Sequence, residues 1–128
     1  MKLLLDTCTF LWITTAQVEL SLAAKTAFED ESNETYLSVL SSWEIAIKNG
    51  LKSLPLPEPA HVFLRRARML HKIESLDLNE EAIEQLPRLP LLHGDPFDRM
   101  LVCQAIVEGM AIVTPDKLIR QYPIRTVW

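Results

Sequence analysis

Apolar positions along the chain fall into short blocks separated by turn-forming residues. Lys2–Leu5 is a continuous apolar run closed by Asp6, which reads as a short buried strand. Thr9–Thr15 predicts a helix, and Ser21 stands as the N-cap of a second that reaches about Asp30. Thr35–Leu40, with its β-branched and aromatic start, predicts a strand. Ser41–Asn49 predicts a helix that stops at Gly50 in a left-handed C-terminal cap. Ala60–Lys72 reads as a helix, Glu74–Leu78 as a strand, and Asn79 as the cap of a helix ending before Pro87. Pro96–Glu108 predicts a strong helix ending at Gly109, followed by a strand at Ala111–Thr114, a short helix at Lys117–Gln121 and a last strand at Ile124–Trp128. Strands separated by helical stretches, with few hairpin signals, predict an α/β fold of βαβ units with a parallel sheet covered on both faces.

Length and composition narrow this further. The 128 residues are one domain's worth, 1–128, and 48% are hydrophobic against 23% charged, which excludes a disordered chain. The proline clusters Pro55, Pro57, Pro59 and Pro87, Pro90 read as loops inside that domain. Gly50, Gly94 and Gly109 are the only glycines, so no glycine-rich phosphate loop exists. Cys8 and Cys103 make neither a disulfide framework nor a zinc-ligand spacing; a reducing cytoplasm fits best, and both read as packing residues. The Met1–Leu5 run is cut off by Asp6 far short of a signal sequence, and no window approaches a membrane span. With 13 Lys and Arg against 17 Asp and Glu, the net charge of −4 argues against a broad basic face for nucleic acid.

In parallel α/β sheets the chemistry sits beyond the carboxyl ends of the strands. Asp6 follows the first strand, Asp116 lies just past Ala111–Thr114, Glu44 lies one turn into the helix after the second strand, and Asp95 and Asp98 open the Pro96–Glu108 helix. Carboxylates converging on one sheet edge repel unless a cation neutralises them, and Mg²⁺ or Mn²⁺ with oxygen ligands is the natural remedy. Each acid also has a plain structural role to hand. Glu44 fits a capping box with Ser41, Asp95 is an N-cap before Pro96, Asp98 faces the positive end of that helix, and Asp6 and Asp116 each precede a helix.

Four segments together carry a resemblance: Leu3–Thr7, Ser38–Ile45, Asp95–Ala105 (DPFDRMLVCQA) and Ile112–Asp116. In order and spacing, over nearly the whole chain, they resemble PIN-domain ribonucleases, and among them the VapC-type toxins of toxin–antitoxin pairs. The resemblance implies a three-layer αβα sandwich around a mainly parallel sheet and a Mg²⁺-dependent endoribonuclease, with Mn²⁺ as a possible substitute. It implies an acidic quartet of Asp6, Glu44, Asp98 and Asp116, with Asp6 and Asp98 the principal metal ligands. Thr7 and Thr114 match positions whose hydroxyls bond beside those acids, and Asp95 is left to the helix cap. It further implies an RNA substrate, a homodimer, and a protein antitoxin whose segment blocks the site. Phe10, Leu11, Trp12, Leu20 and Leu22 are candidates for that groove, with ordinary core packing as the other reading. The position between His93 and Asp95 is often basic in such toxins and is Gly94 here, which puts a phosphate contact there in doubt. His93 reads as a solvated loop histidine, with contact to RNA as the other reading.

Hydrolysis of this kind needs no serine or cysteine nucleophile, and Trp12 and Trp43 read as core or groove lining. For RNA contact the candidates are Arg99, beside Asp98, and the cluster Arg65, Arg66 and Arg68, with Lys48, Lys52, Lys117 and Arg120 near the strand ends. Three rivals share some of these features. A receiver-like Mg²⁺-binding domain requires an acidic pair near its first strand, and a haloacid-dehalogenase-like phosphatase requires Asp-x-Asp; Asp6-Thr7-Cys8 offers neither. A catalytically silent binding module is opposed by the complete quartet. Setting the quartet aside leaves 13 acids against 13 bases, so the negative surplus can reside in the metal site itself.

Overall fold

A computed structural model describes residues 1–15 and 19–128. The chain runs through β1 (Lys2–Leu5), α1 (Thr7–Thr14), α2 (Leu22–Glu29), β2 (Glu34–Ser38), α3 (Val39–Gly50), α4 (Ala60–Leu70), β3 (Ile73–Leu76), α5 (Glu80–Gln85), α6 (Pro96–Glu108), β4 (Ala111–Val113) and β5 (Thr126–Val127). Short helical turns lie at Leu86–Arg88 and Ile119–Gln121. Among the described residues, the five strands form one sheet in the order β3-β2-β1-β4-β5. Every pairing is parallel: Leu4 sits opposite Tyr36 on one side and Ile112 on the other, and Leu5 opposite Leu37 and Val113.

The strand period of two explains the layers. Leu3 and Leu5 point to one face, where Phe10, Ile13, Ala24, Ile45, Phe63, Leu64 and Ala67 of α1–α4 cover them. Leu4 points to the other, into Ala82, Leu101, Val102, Cys103, Ala105, Ile119 and Tyr122. All three leucines are fully buried, which explains why β1 is an unbroken apolar run. The expected three-layer αβα sandwich is therefore the observed one. Among the described residues no helix is long and apolar enough to cross a membrane.

Element ends deviate in instructive ways. The Asp95 side chain accepts the Phe97 N–H, Pro96 opens α6 and Gly109 closes it at φ +66°, as expected. Ser21 and Asn79 cap their helices through the N–H groups of Ala24 and Ala82. By contrast, α3 starts at Val39, two residues before the expected Ser41: Ser38 ends β2 and caps α3 through the Leu40 N–H. Glu44 is thus mid-helix, and the Ser41–Glu44 capping box does not exist. Nor does Gly50 take the left-handed cap. The chain turns at Lys52, φ +60°, where the Ser53 N–H reaches back to the Lys48 carbonyl and holds the reversal.

Candidate active site

β1 is central, and successive connections leave it in opposite directions, towards β2 and β3 on one side and β4 and β5 on the other. That reversal opens a crevice at the carboxyl ends of β1 and β4. A cavity of about 360 Å³ lies there, lined by Asp6, Thr7, Cys8, Leu11, Glu44, Lys48, Asp95, Asp98, Pro115 and Asp116. All four acids of the expected quartet line it, together with Thr7.

Each acid is held by its own element. Asp6 is buried at the end of β1. Its Oδ1 accepts the Thr9 N–H at 2.9 Å, making it the N-cap of α1, while Oδ2 accepts the Thr114 hydroxyl and the Cys8 thiol lies 3.4 Å from Oδ1. Thr114 Oγ1 in turn accepts the Asp116 N–H at 3.0 Å. The Asp116 carboxylate also caps the turn after it, with Oδ1 accepting the Leu118 N–H at 2.8 Å. Glu44 projects from α3 and pairs with Lys48 one turn on, at 3.3 Å. Asp98 comes from the first turn of α6. The plain capping roles read for Asp6, Asp95 and Asp116 are real, and they coexist with a shared cavity.

The electrostatics follow from this crowding. Burial raises the Asp98 carboxyl from its ordinary 3.8 to about 7, with the charges of Asp95, Asp116 and Asp6 adding to the rise and the His93 ring opposing it. Burial also works to raise Asp116, but hydrogen bonds from His93 and from the Leu118 and Ile119 N–H groups outweigh it and lower the carboxyl. Burial, and then the Asp6 carboxylate, push the Cys8 thiol up to about 12. Cys8 is therefore a protonated donor beside Asp6 rather than the apolar packing residue expected, whereas Cys103 does lie in the core. All-oxygen carboxylate donors, one of them driven towards protonation by burial and then by like charge, fit a hard divalent cation.

His93 is the residue that sequence reasoning missed. It is buried, with Nε2 2.9 Å from Asp116 Oδ2 and 3.2 Å from Asp98 Oδ2. One donor atom from each of these three residues lies within 4.8 Å of the others. Asp6 and Glu44 face the same cavity without belonging to that close-set group. Two of its partners, Asp116 and Tyr122, are 23 and 29 residues away, so the local sequence alone does not show that the ring is held.

None of the basic candidates Arg65, Arg66, Arg68 or Arg99 lines the acidic cavity; Lys48 does. Arg65 and Arg66 border a separate depression on α4 with His61, Val62, Met69 and Leu70, and Arg66 is ion-paired with Glu58. Arg99 donates to the Pro90 carbonyl at 3.0 Å and lies 3.3 Å from the Tyr122 hydroxyl. Trp43 is not core: it is 59% exposed and meets Phe97 edge-on with ring centres 5.4 Å apart. Of the groove candidates, Phe10 is fully buried core and Leu22 is exposed, while Trp12 and Leu20 border a depression with Phe28 and His71.

An αβα sandwich with a parallel sheet and acidic side chains gathered at the carboxyl edge of its central strands describes the PIN domain, and the chain belongs to that family: the PIN domain model matches residues 3–124. Over 130 residues the chain is 27% identical to Ribonuclease VapC22 of Mycobacterium tuberculosis, covering 98% of this chain and 97% of that protein. Two solved structures share the fold. One is VapBC2 from Rickettsia felis bound to a DNA fragment from its promoter (TM-score 0.72, 15% identity, 98% of this chain and 97% of that one). The other is VapBC-1 from nontypeable Haemophilus influenzae (TM-score 0.64, 12% identity, 98% and 96%). The resemblance to VapC-type PIN toxins drawn from the residues is thereby borne out.

Proposed function

We propose that the chain is a divalent-cation-dependent endoribonuclease, the toxin of a toxin–antitoxin pair, that hydrolyses RNA phosphodiester bonds. The observation that carries this is the convergence of Asp6, Glu44, Asp98 and Asp116 on one cavity, with the Asp98 carboxyl raised to about 7 by burial and like charge. Asp6 and Asp98 are the principal carboxylates for Mg²⁺, or Mn²⁺ in its place, and Glu44 and Asp116 complete the set. When bound, such a cation supplies activation of water and charge neutralisation at the phosphate.

The chain's own groups set the stage for that chemistry. Thr114 and the Thr9 N–H fix the Asp6 carboxylate, and the Leu118 N–H fixes Asp116, so little reorganisation is left when charge develops. Thr7 stands in the cavity wall beside them. Lys48, exposed on the rim and paired with Glu44, is placed to meet phosphate. Cys8 stays protonated and is not a nucleophile.

The name of the curated relative, a ribonuclease, and the VapBC names of the two solved neighbours support this reading. It carries with it an antitoxin segment seated beside the cavity, next to Leu11, Trp12 and Leu20, and a homodimer. The test is RNA cleavage by purified protein free of any co-purifying partner. Asp6→Asn and Asp98→Asn are expected to lose at least about 100-fold in rate while keeping the parent's circular dichroism. Variants that cleave like the parent would overturn the proposal.

A further inference from the structure

His93 sits among the carboxylates in a way that invites reading it as a metal ligand. Its other nitrogen says otherwise. Nδ1 accepts the Asp95 backbone N–H at 3.0 Å. A backbone amide can only donate, so Nδ1 carries no hydrogen and the ring hydrogen is on Nε2. Nε2 is the atom 2.9 Å from Asp116 Oδ2 and 3.2 Å from Asp98 Oδ2. It therefore gives a hydrogen to the carboxylates and has no lone pair for a cation.

The loop that carries the ring is pinned with equal care. The buried Tyr122 hydroxyl accepts the N–H groups of both Leu92 and His93, at 3.1 and 3.0 Å. Arg99 ties the same hydroxyl to the Pro90 carbonyl. Arg99 directly follows Asp98 on α6, and Tyr122 closes the turn that Asp116 begins. The two elements that present the carboxylates thus also hold the histidine against them.

We propose that His93 is a positioning residue, an Nε2–H tether that holds Asp98 and Asp116 in register for a divalent cation without ligating it, and that Arg99 and Tyr122 act through it. This rests on reading the cavity as a cation site. It assigns Arg99 to the loop clamp instead of to RNA. Carboxylate ligands oriented by neighbouring hydrogen-bond donors are a general feature of metal sites.

The test uses Mn²⁺ alone, with no RNA, so it is separable from the question of substrate. Pulsed electron paramagnetic resonance of the Mn²⁺-loaded protein is expected to show no directly coordinated nitrogen; a strong nitrogen coupling that disappears in His93→Ala makes His93 a ligand and overturns the proposal. By calorimetry, His93→Ala is expected to weaken Mn²⁺ about 10–100-fold. His93→Gln, whose amide still donates, is expected to recover most of that loss. Equal loss in Gln and Ala contradicts the tether. Tyr122→Phe and Arg99→Lys, both conservative enough to keep the fold, are expected to weaken Mn²⁺ while leaving the KM for RNA at saturating Mn²⁺ unchanged. A raised KM with unaltered Mn²⁺ affinity in Arg99→Lys would return Arg99 to the RNA.

Discussion

Asp6 and Thr114 are 108 residues apart in the chain and share a hydrogen bond at the adjoining ends of β1 and β4. That one contact joins the first acid of the cavity to the segment that presents the last, because Thr114 also accepts the Asp116 N–H. Thr114→Val deletes the hydroxyl at nearly constant shape and leaves a buried carboxylate and an amide each short of a partner. It is expected to cost about 1–3 kcal/mol in denaturant unfolding, with Thr114→Ser close to the parent. A neutral Thr114→Val would show that the bond contributes nothing.

Asp98 sets the pH response of the cation-free protein. With its carboxyl raised from 3.8 to about 7, the folded chain keeps, across roughly that window, a proton that the unfolded chain releases. Stability therefore falls as pH rises from about 4 to about 7. Asp116, lowered from 3.8, acts in the opposite sense: its contribution is present above that value and is lost as pH falls through its folded value. In chelator, the parent's Tm is expected to drop across that window relative to Asp98→Asn, and added Mg²⁺ to remove the difference at the high end. Parallel Tm profiles for the two proteins would refute this.

Cys8 faces the cavity yet donates to Asp6, with its thiol pushed up to about 12, and Cys103 is buried between α6 and the sheet. Alkylation of the native cation-free protein at mildly alkaline pH is expected to be slow at both and complete only on unfolding, since the thiolate is the reactive form. Mass spectrometry that finds rapid native labelling of Cys8 would contradict the contact with Asp6.

Gly109 closes α6 in the left-handed region, with nothing within 4 Å of where a Cβ would stand. Gly109→Ala is therefore a backbone experiment without a packing clash. It is expected to destabilise by about 1–2 kcal/mol, whereas Gly50→Ala, in an ordinary helical conformation, is expected to be neutral or mildly stabilising. Equal effects at the two glycines would count against this account of the helix ends.

These cases mark what the sequence makes legible. β1 and β4 stand out because a strand buried on both faces must be apolar throughout, and α6 because Asp95, Pro96 and Gly109 leave its ends no alternative. Asp6, Asp98 and Asp116 are legible because each lies at or within three residues of an end of such an element, whereas Glu44, mid-helix in α3, is reached through the family resemblance. Ser38 and Ser41 are both competent caps, and only the sheet decides between them: β2 ends where Ser38 pairs with Leu76 of β3. A glycine permits a left-handed turn without requiring one, so Gly50 gave way to Lys52. The contacts that hold His93 and Arg99 are hidden from the sequence for one reason. A histidine or arginine in a loop looks alike whether solvated or clamped, and the clamp, Tyr122, lies 29 and 23 residues further along.

The most direct test of the central claim is the metal dependence of RNA cleavage by the purified chain. After chelation the protein is expected to be inactive, with Mg²⁺ or Mn²⁺ restoring cleavage to the parent and to neither Asp6→Asn nor Asp98→Asn. Cleavage that persists in excess chelator, or that Mg²⁺ restores equally to the Asn variants, would contradict the assignment of the acidic cavity as the catalytic centre.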